Sequence, residues 1–243
     1  MFSELNVLDH GPSDFTYTPY RNTGVCSMFS ELYVLVHGPG NFLYLKMFES
    51  MGFNVTYSLD VADIVCFTGG EDINPQLYGE KPLDGIYYNP ERDADDIDVY
   101  NQARDMGLFL IGICRGGQLL NALNGGKLWQ DVDCHGRYHN IQDLATGELI
   151  YVSSTHHQQF RPSPEAEVIA VAWESETKYA ADTVWHRAFE NDEVDYEVLY
   201  YDRSRSLCFQ PHPEYGDVPG CTDYFFNLIT KYYPQHSLSR EPK

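Results

Sequence analysis

Short apolar runs recur along the chain, and most are followed by a stretch whose polar and small residues suit a helix. Residues 32–36 (LYVLV) form an unbroken strand-like run that stops at His37-Gly38-Pro39-Gly40. Residues 42–51 predict a helix ending at Gly52, residues 53–58 (FNVTYS) a strand, and residues 62–67 (ADIVCF) a short buried strand halting at Thr68-Gly69-Gly70. Residues 90–106 carry charges and small side chains suited to an exposed helix. Residues 107–113 (GLFLIGI) read as an apolar strand running straight into Cys114, and residues 116–123 (GGQLLNAL) as the next helix. Continuous rather than alternating apolar runs mark strands covered on both faces. The pattern therefore predicts an α/β, doubly wound, mostly parallel sheet flanked by helices.

The second half carries additional short β strands, at 149–153, 168–172, 198–201 and 207–210, separated by polar turns. A last helix is expected over 221–232, with a loose polar tail after Pro234. The first 15 residues, MFSELNVLDHGPSDF, return at 28–42 as MFSELYVLVHGPGNF with 11 identities. Asn6 and Asp9 interrupt the apolar run in the first copy, so residues 1–27 are expected to be a duplicated leader and residues 28–243 a single domain. No third copy follows, which excludes a repeat architecture.

Composition narrows the function. The net charge of −20 disfavours binding to nucleic acid or to an anionic membrane, and the 16 basic residues form no patch. No apolar stretch approaches the ~18–20 residues of a membrane span, and the start lacks the pattern of a signal peptide. Six cysteines without a CxxC pair suggest reduced thiols in a cytoplasmic protein. The acidic run 93–98 is expected to be a solvated helix face.

The strongest chemical signal is Gly112-Ile113-Cys114-Arg115-Gly116-Gly117-Gln118. A strand ends, a cysteine follows, and flanking glycines allow an abrupt turn into a helix, the thiol counterpart of the G-x-S-x-G nucleophile elbow. A helix N-terminus favours an anion, and its free amides can hold a developing oxyanion. Cys66, by contrast, reads as a core thiol. A thiol nucleophile needs a base, and that base an orienting acid. Pro211-His212-Pro213-Glu214 supplies both, because positions i and i+2 of an extended segment share a face. Cys134, His135 and His139 include adequate zinc donors, but no fourth ligand lies near them in sequence and the spacing fits no finger. A polar loop without metal is expected there. Residues 173–179 and 190–197 are expected to be a surface excursion.

These residues meet a family. GICRGGQLLN, GGKLWQD (125–131) and FQPHPEY (209–215) resemble class I glutamine amidotransferases, closest to the γ-glutamyl hydrolase branch that includes γ-glutamyl-γ-aminobutyrate hydrolases. The resemblance continues through TGGEDINP (68–75), LYGE (77–80), NPERD (89–93) and SSTHHQ (153–158), covering roughly 31–216 in the family's order. It implies a flavodoxin-like fold, Cys114 as nucleophile, His212 as base then acid, Glu214 as its orienter, and an oxyanion hole from the Gly70 and Arg115 amides. Gln118, His156, His157 and Gln158 match the family's substrate side, although adjacent histidines cannot both face one pocket.

The implied reaction is cofactor-free hydrolysis of a small-molecule γ-glutamyl amide through a thioester. A glutaminase subunit serving a synthetase partner is the alternative, and a homo-oligomer is left open. A third class, a binding module that lost catalysis, would show as a missing triad member, and all three are present.

Overall fold

Four apolar runs too hydrophobic to face water on either side fix the centre of the sheet. The computed structural model describes residues 29–173, 177, 179–181, 186–188 and 194–233. The duplicated segment 1–27 and the tail expected after Pro234 lie outside the described residues. The first half contains β1 (Tyr33–His37), α1 (Phe42–Ser50), β2 (Asn54–Val55), β3 (Ile64–Phe67), α2 (Pro90–Asp105), β4 (Phe109–Ile113) and α3 (Arg115–Leu123). Then follow β5 (Lys127–Trp129), β6 (Asp131–Val132), β7 (His139–Asp143), β8 (Leu149–Val152), β9 (Gln159–Arg161), β10 (Glu167–Ala172), β11 (Tyr179–Ala181) and β12 (His186–Ala188). The chain closes with β13 (Tyr196–Tyr201), β14 (Ser206–Phe209) and α4 (Pro219–Tyr232).

The main sheet runs β2-β1-β3-β4-β14-β13-β10-β7-β8. From β2 to β14 every pairing is parallel, and from β14 onward every pairing is antiparallel. The expected α/β, doubly wound architecture is therefore present, and the extra strands of the second half extend its parallel part. Side chains alternate between two cores. Ile64, Cys66, Ile111 and Phe209 pack under α1 and α4, while Val65, Phe67, Leu110 and Cys208 pack under α2 and α3. Helices on both faces explain why β3 and β4 have no exposed residue.

Three expectations change. The strand foreseen over 53–58 shrinks to Asn54–Val55 at the sheet edge, where Thr56, Tyr57 and Ser58 have no outer strand to join. The acidic run on α2 is not uniformly solvated: Asp93 and Asp96, three residues apart on one helix face, are buried, and Asp95 is exposed. The acidic excursion of the second half turns inward as well, since Asp195 and Glu197 are buried on or beside β13. The rest of residues 190–193 lies outside the described residues. Among the described residues no helix is long and apolar enough to cross a membrane, and the five described cysteines are free thiols.

Candidate active site

The carboxyl ends of β1, β3, β4 and β14 lie side by side, with His37 opposite Phe67, Phe67 opposite Gly112, and Phe209 opposite Ile113. Ligands of open α/β sheets bind at this edge. Cys114 leaves β4 and caps α3 with φ 52° and ψ −113°, a left-handed conformation that a side chain adopts at a cost of about 1–3 kcal/mol. Its N–H donates to Phe209 O at 2.8 Å, which ties the turn to β14. The flanking glycines are sterically required. A Cβ on Gly112 would stand 2.3 Å from the Gly116 carbonyl, and one on Gly116 would stand 2.2 Å from Phe67 O.

Arg115 turns its side chain away from this edge. The guanidinium is buried between Asp93 and Asp96 of α2, so α2 and α3 are clamped together beneath the cysteine. Its amide is the first of α3, where no intrahelical acceptor exists. Across the crevice, Gly70 has φ 142° and approaches Arg92 so closely that a Cβ would meet Nη1 at 2.3 Å. Arg92 donates to Thr68 O at 3.1 Å, Gly69 O at 2.9 Å and Glu71 Oε2 at 2.8 Å, pinning the glycine loop by its carbonyls.

His212 follows β14 and is buried. Its Nδ1 lies 2.7 Å from Glu214 Oε1; the two groups meet, but across a 3-10 turn at Pro213–Tyr215 rather than along the extended segment expected. Nε2 is buried without a hydrogen-bond partner. Burial opposes a charge on the ring, but the Glu214 carboxylate and Cys114 outweigh it and hold His212 well above the usual histidine range. The backbone is fixed by a reciprocal pair: Ser153 Oγ donates to His212 O at 2.8 Å and accepts from His212 N at 3.1 Å. Tyr215 stacks on the ring at 4.5 Å. Tyr44 Oη accepts from Gly69 N at 3.0 Å within the field of Glu214.

A cleft of about 190 Å³ opens over Cys114 and includes Gly70, Glu71 and Tyr87. Gln118, His156, His157 and Gln158 also border it. Gln118 Nε2 donates weakly to Gln158 O (3.4 Å) and Gln210 Oε1 (3.3 Å), and Gln158 Nε2 donates to Gln130 O at 3.3 Å. The two histidines diverge. His157 is half exposed between Asp72 and Asp131, whose hydrogen bonds push it up to about 9 against the effect of burial. His156 is buried, and desolvation, helped by His135, holds it well below the ordinary range.

Sequence reasoning passed over Tyr44, Arg92, Ser153 and Tyr215. The last three sit within the motifs NPERD, SSTHHQ and FQPHPEY, and that membership was the only signal the sequence offered for them. Tyr44 had none, because it reads as an apolar helix position. The stretch containing Cys134, His135 and His139 is also not an ordinary polar loop: His135 is buried and, with His139, faces the distant Glu197. Sequence spacing could not reveal that neighbour.

The peptidase C26 family matches residues 40–188 of the chain. The glutamine amidotransferase-like protein YvdE of Lactococcus lactis is 27% identical over 179 residues, which span 62% of this chain and 74% of that protein. The carbamoyl phosphate synthase small chain of Neisseria meningitidis is 27% identical over 151 residues, 59% of this chain and only 36% of that protein. A glutamine amidotransferase structure from Thermotoga maritima shares the fold at a TM-score of 0.54 and 12% identity, covering 86% of this chain and 88% of that one.

Proposed function

The chain belongs to the peptidase C26 family of hydrolase-type, glutamine amidotransferase-like proteins, and on that premise we propose that it cleaves a γ-glutamyl amide with Cys114 as nucleophile. The observation that carries the reading is the buried His212–Glu214 pair, 2.7 Å apart, set beside a cysteine on a strained strand-to-helix turn. A thiol next to a base that is itself oriented by a carboxylate is the arrangement acyl transfer requires.

In this reading the Cys114 thiol gives its proton to His212 as its sulfur adds to the γ-carbonyl carbon, and the Gly70 and Arg115 amides receive the oxyanion. The tetrahedral adduct collapses, the C–N bond breaks, and His212 protonates the departing amine. Water then attacks the thioester, giving its proton to His212, and glutamate leaves as the thiol is restored. Gln118, His156, His157 and Gln158 border the space for the substrate. No cofactor enters any step. The test is glutamate release from glutamine, γ-glutamyl amines and polyglutamates, each measured with the native chain and with Cys114→Ser. Equal rates from both proteins would falsify the assignment.

A second reading, ammonia delivery to a separate synthetase, draws on the similarity to a carbamoyl phosphate synthase small chain. It predicts glutamine as the substrate and turnover that rises when the partner is added.

A further inference from the structure

Behind the cleft, the buried His135, His156 and Glu197 gather with the partly buried His139. Glu197 Oε1 lies 3.5 Å from His135 Nδ1, 3.4 Å from His139 Nε2 and 3.8 Å from His156 Nε2. None of these four atoms has a hydrogen-bond partner, and neither does Glu197 Oε2. A fully buried carboxylate without a donor is costly unless a cation balances it.

The outer nitrogen of each ring fixes its tautomer. His139 Nδ1 is 3.1 Å from Arg137 O and His156 Nδ1 is 2.8 Å from Gln158 O; a carbonyl only accepts, so both Nδ1 atoms carry hydrogen. His135 Nε2 is 2.9 Å from Thr177 Oγ1, which gives its own proton to Asp195 at 2.9 Å and therefore accepts from the ring. The inner nitrogen of each ring therefore faces Glu197. Metal-bound histidines show this pattern, with the second nitrogen donating to a carbonyl or to a group held by a carboxylate.

We propose that His135, His139 and Glu197, whose donor atoms lie within 4.8 Å of one another, bind a divalent cation of the zinc type. His156, which stands outside that trio but 3.8 Å from Glu197, is drawn in as the fourth ligand. Three nitrogens and one carboxylate suit zinc, and the 3.4–3.8 Å separations are close to the ~3.4 Å between ligands held ~2.1 Å from a tetrahedral ion. Glu197 and the neighbouring Asp195 would balance its two charges. The ligands come from the turn after β6, from β7, from the β8–β9 loop and from β13. The ion would therefore tie the 155–158 border of the cleft to the antiparallel half of the sheet. The proposal stands apart from the reaction at Cys114.

The rival occupant is a proton shared between the rings and Glu197. The full chain, purified without chelators, is expected to carry one zinc per molecule. Dipicolinate should remove it with a fall in Tm, and added zinc should restore both. Cobalt(II) in its place should give the visible absorption of a tetrahedral site. Glu197→Gln and the less buried His139→Gln are expected to weaken zinc binding by on the order of 100-fold, while Cys114→Ser keeps it. If Glu197→Gln does not fold, His139→Gln carries the same test. A chain that holds no zinc, fails to bind it when offered and keeps its Tm in chelator would overturn the proposal, as would full zinc affinity in the His139 variant.

Discussion

At Cys114 the backbone and the side chain make opposite demands, since φ 52° favours glycine and the chemistry needs sulfur. Cys114→Ser keeps the geometry and exchanges the thiol for a far weaker nucleophile, so turnover should fall at least ~10³-fold with Tm nearly unchanged. The base is tuned from its far side. Glu214 raises His212, so the imidazolium needed for the leaving amine persists until pH climbs past that raised value. Glu214→Gln removes the charge and lowers the folded-state pKa; the alkaline limb of kcat/KM should therefore move to lower pH. A limb that stays in place would separate Glu214 from the base. Ser153→Ala strands the His212 amide and carbonyl, with an expected loss of about 1–3 kcal/mol in denaturant unfolding and a fall in kcat larger than any change in KM. Cys114 was legible through its flanking glycines, and His212 with Glu214 through their i, i+2 spacing. The pairing of these two distant stretches rested on the family's motif order. Ser153, 59 positions from His212, was not legible.

Each element near the site is held by its neighbour. Gly116 lets α3 lie against the end of β3, and Gly116→Ala would drive a methyl into Phe67 O, so a loss of about 3 kcal/mol and of activity is expected. Arg115 joins α3 to α2 through Asp93 and Asp96. Arg115→Met would leave the buried Asp93 without its cation and Asp96 with only Arg92 at 3.7 Å and His37 at 3.0 Å, at a cost of about 3–5 kcal/mol by thermal or urea unfolding. An unchanged Tm would mean that the clamp adds nothing. The same pair explains a misreading: an aspartate-rich helix looks solvated until the cation buried against it is known. Apolar strands β3, β4 and β14 were readable because burial on both faces leaves only hydrophobic choices. Strand β7 (HNIQD) was not, since His139 and Asp143 are held there by polar partners rather than by an apolar face.

Across the whole molecule, the parallel half presents Cys114 and His212, the proposed reacting groups, and the 155–158 loop of the second half closes one border of the cleft. If the chain works alone, glutamate release should be the same with and without any added synthetase; strong dependence on such a partner favours the ammonia-donating reading. The placement of Cys114 and His212 also has a historical side. Their strands β4 and β14 are adjacent and in register, so hydrogen bonds of the ladder, Cys114 N to Phe209 O among them, set the gap between the proposed nucleophile and base. Apart from α3 and Ser153, the long excursion between them could lengthen, shorten or be rewritten without altering that gap. Such a chain is free to change its diet while its cutting edge stays the same.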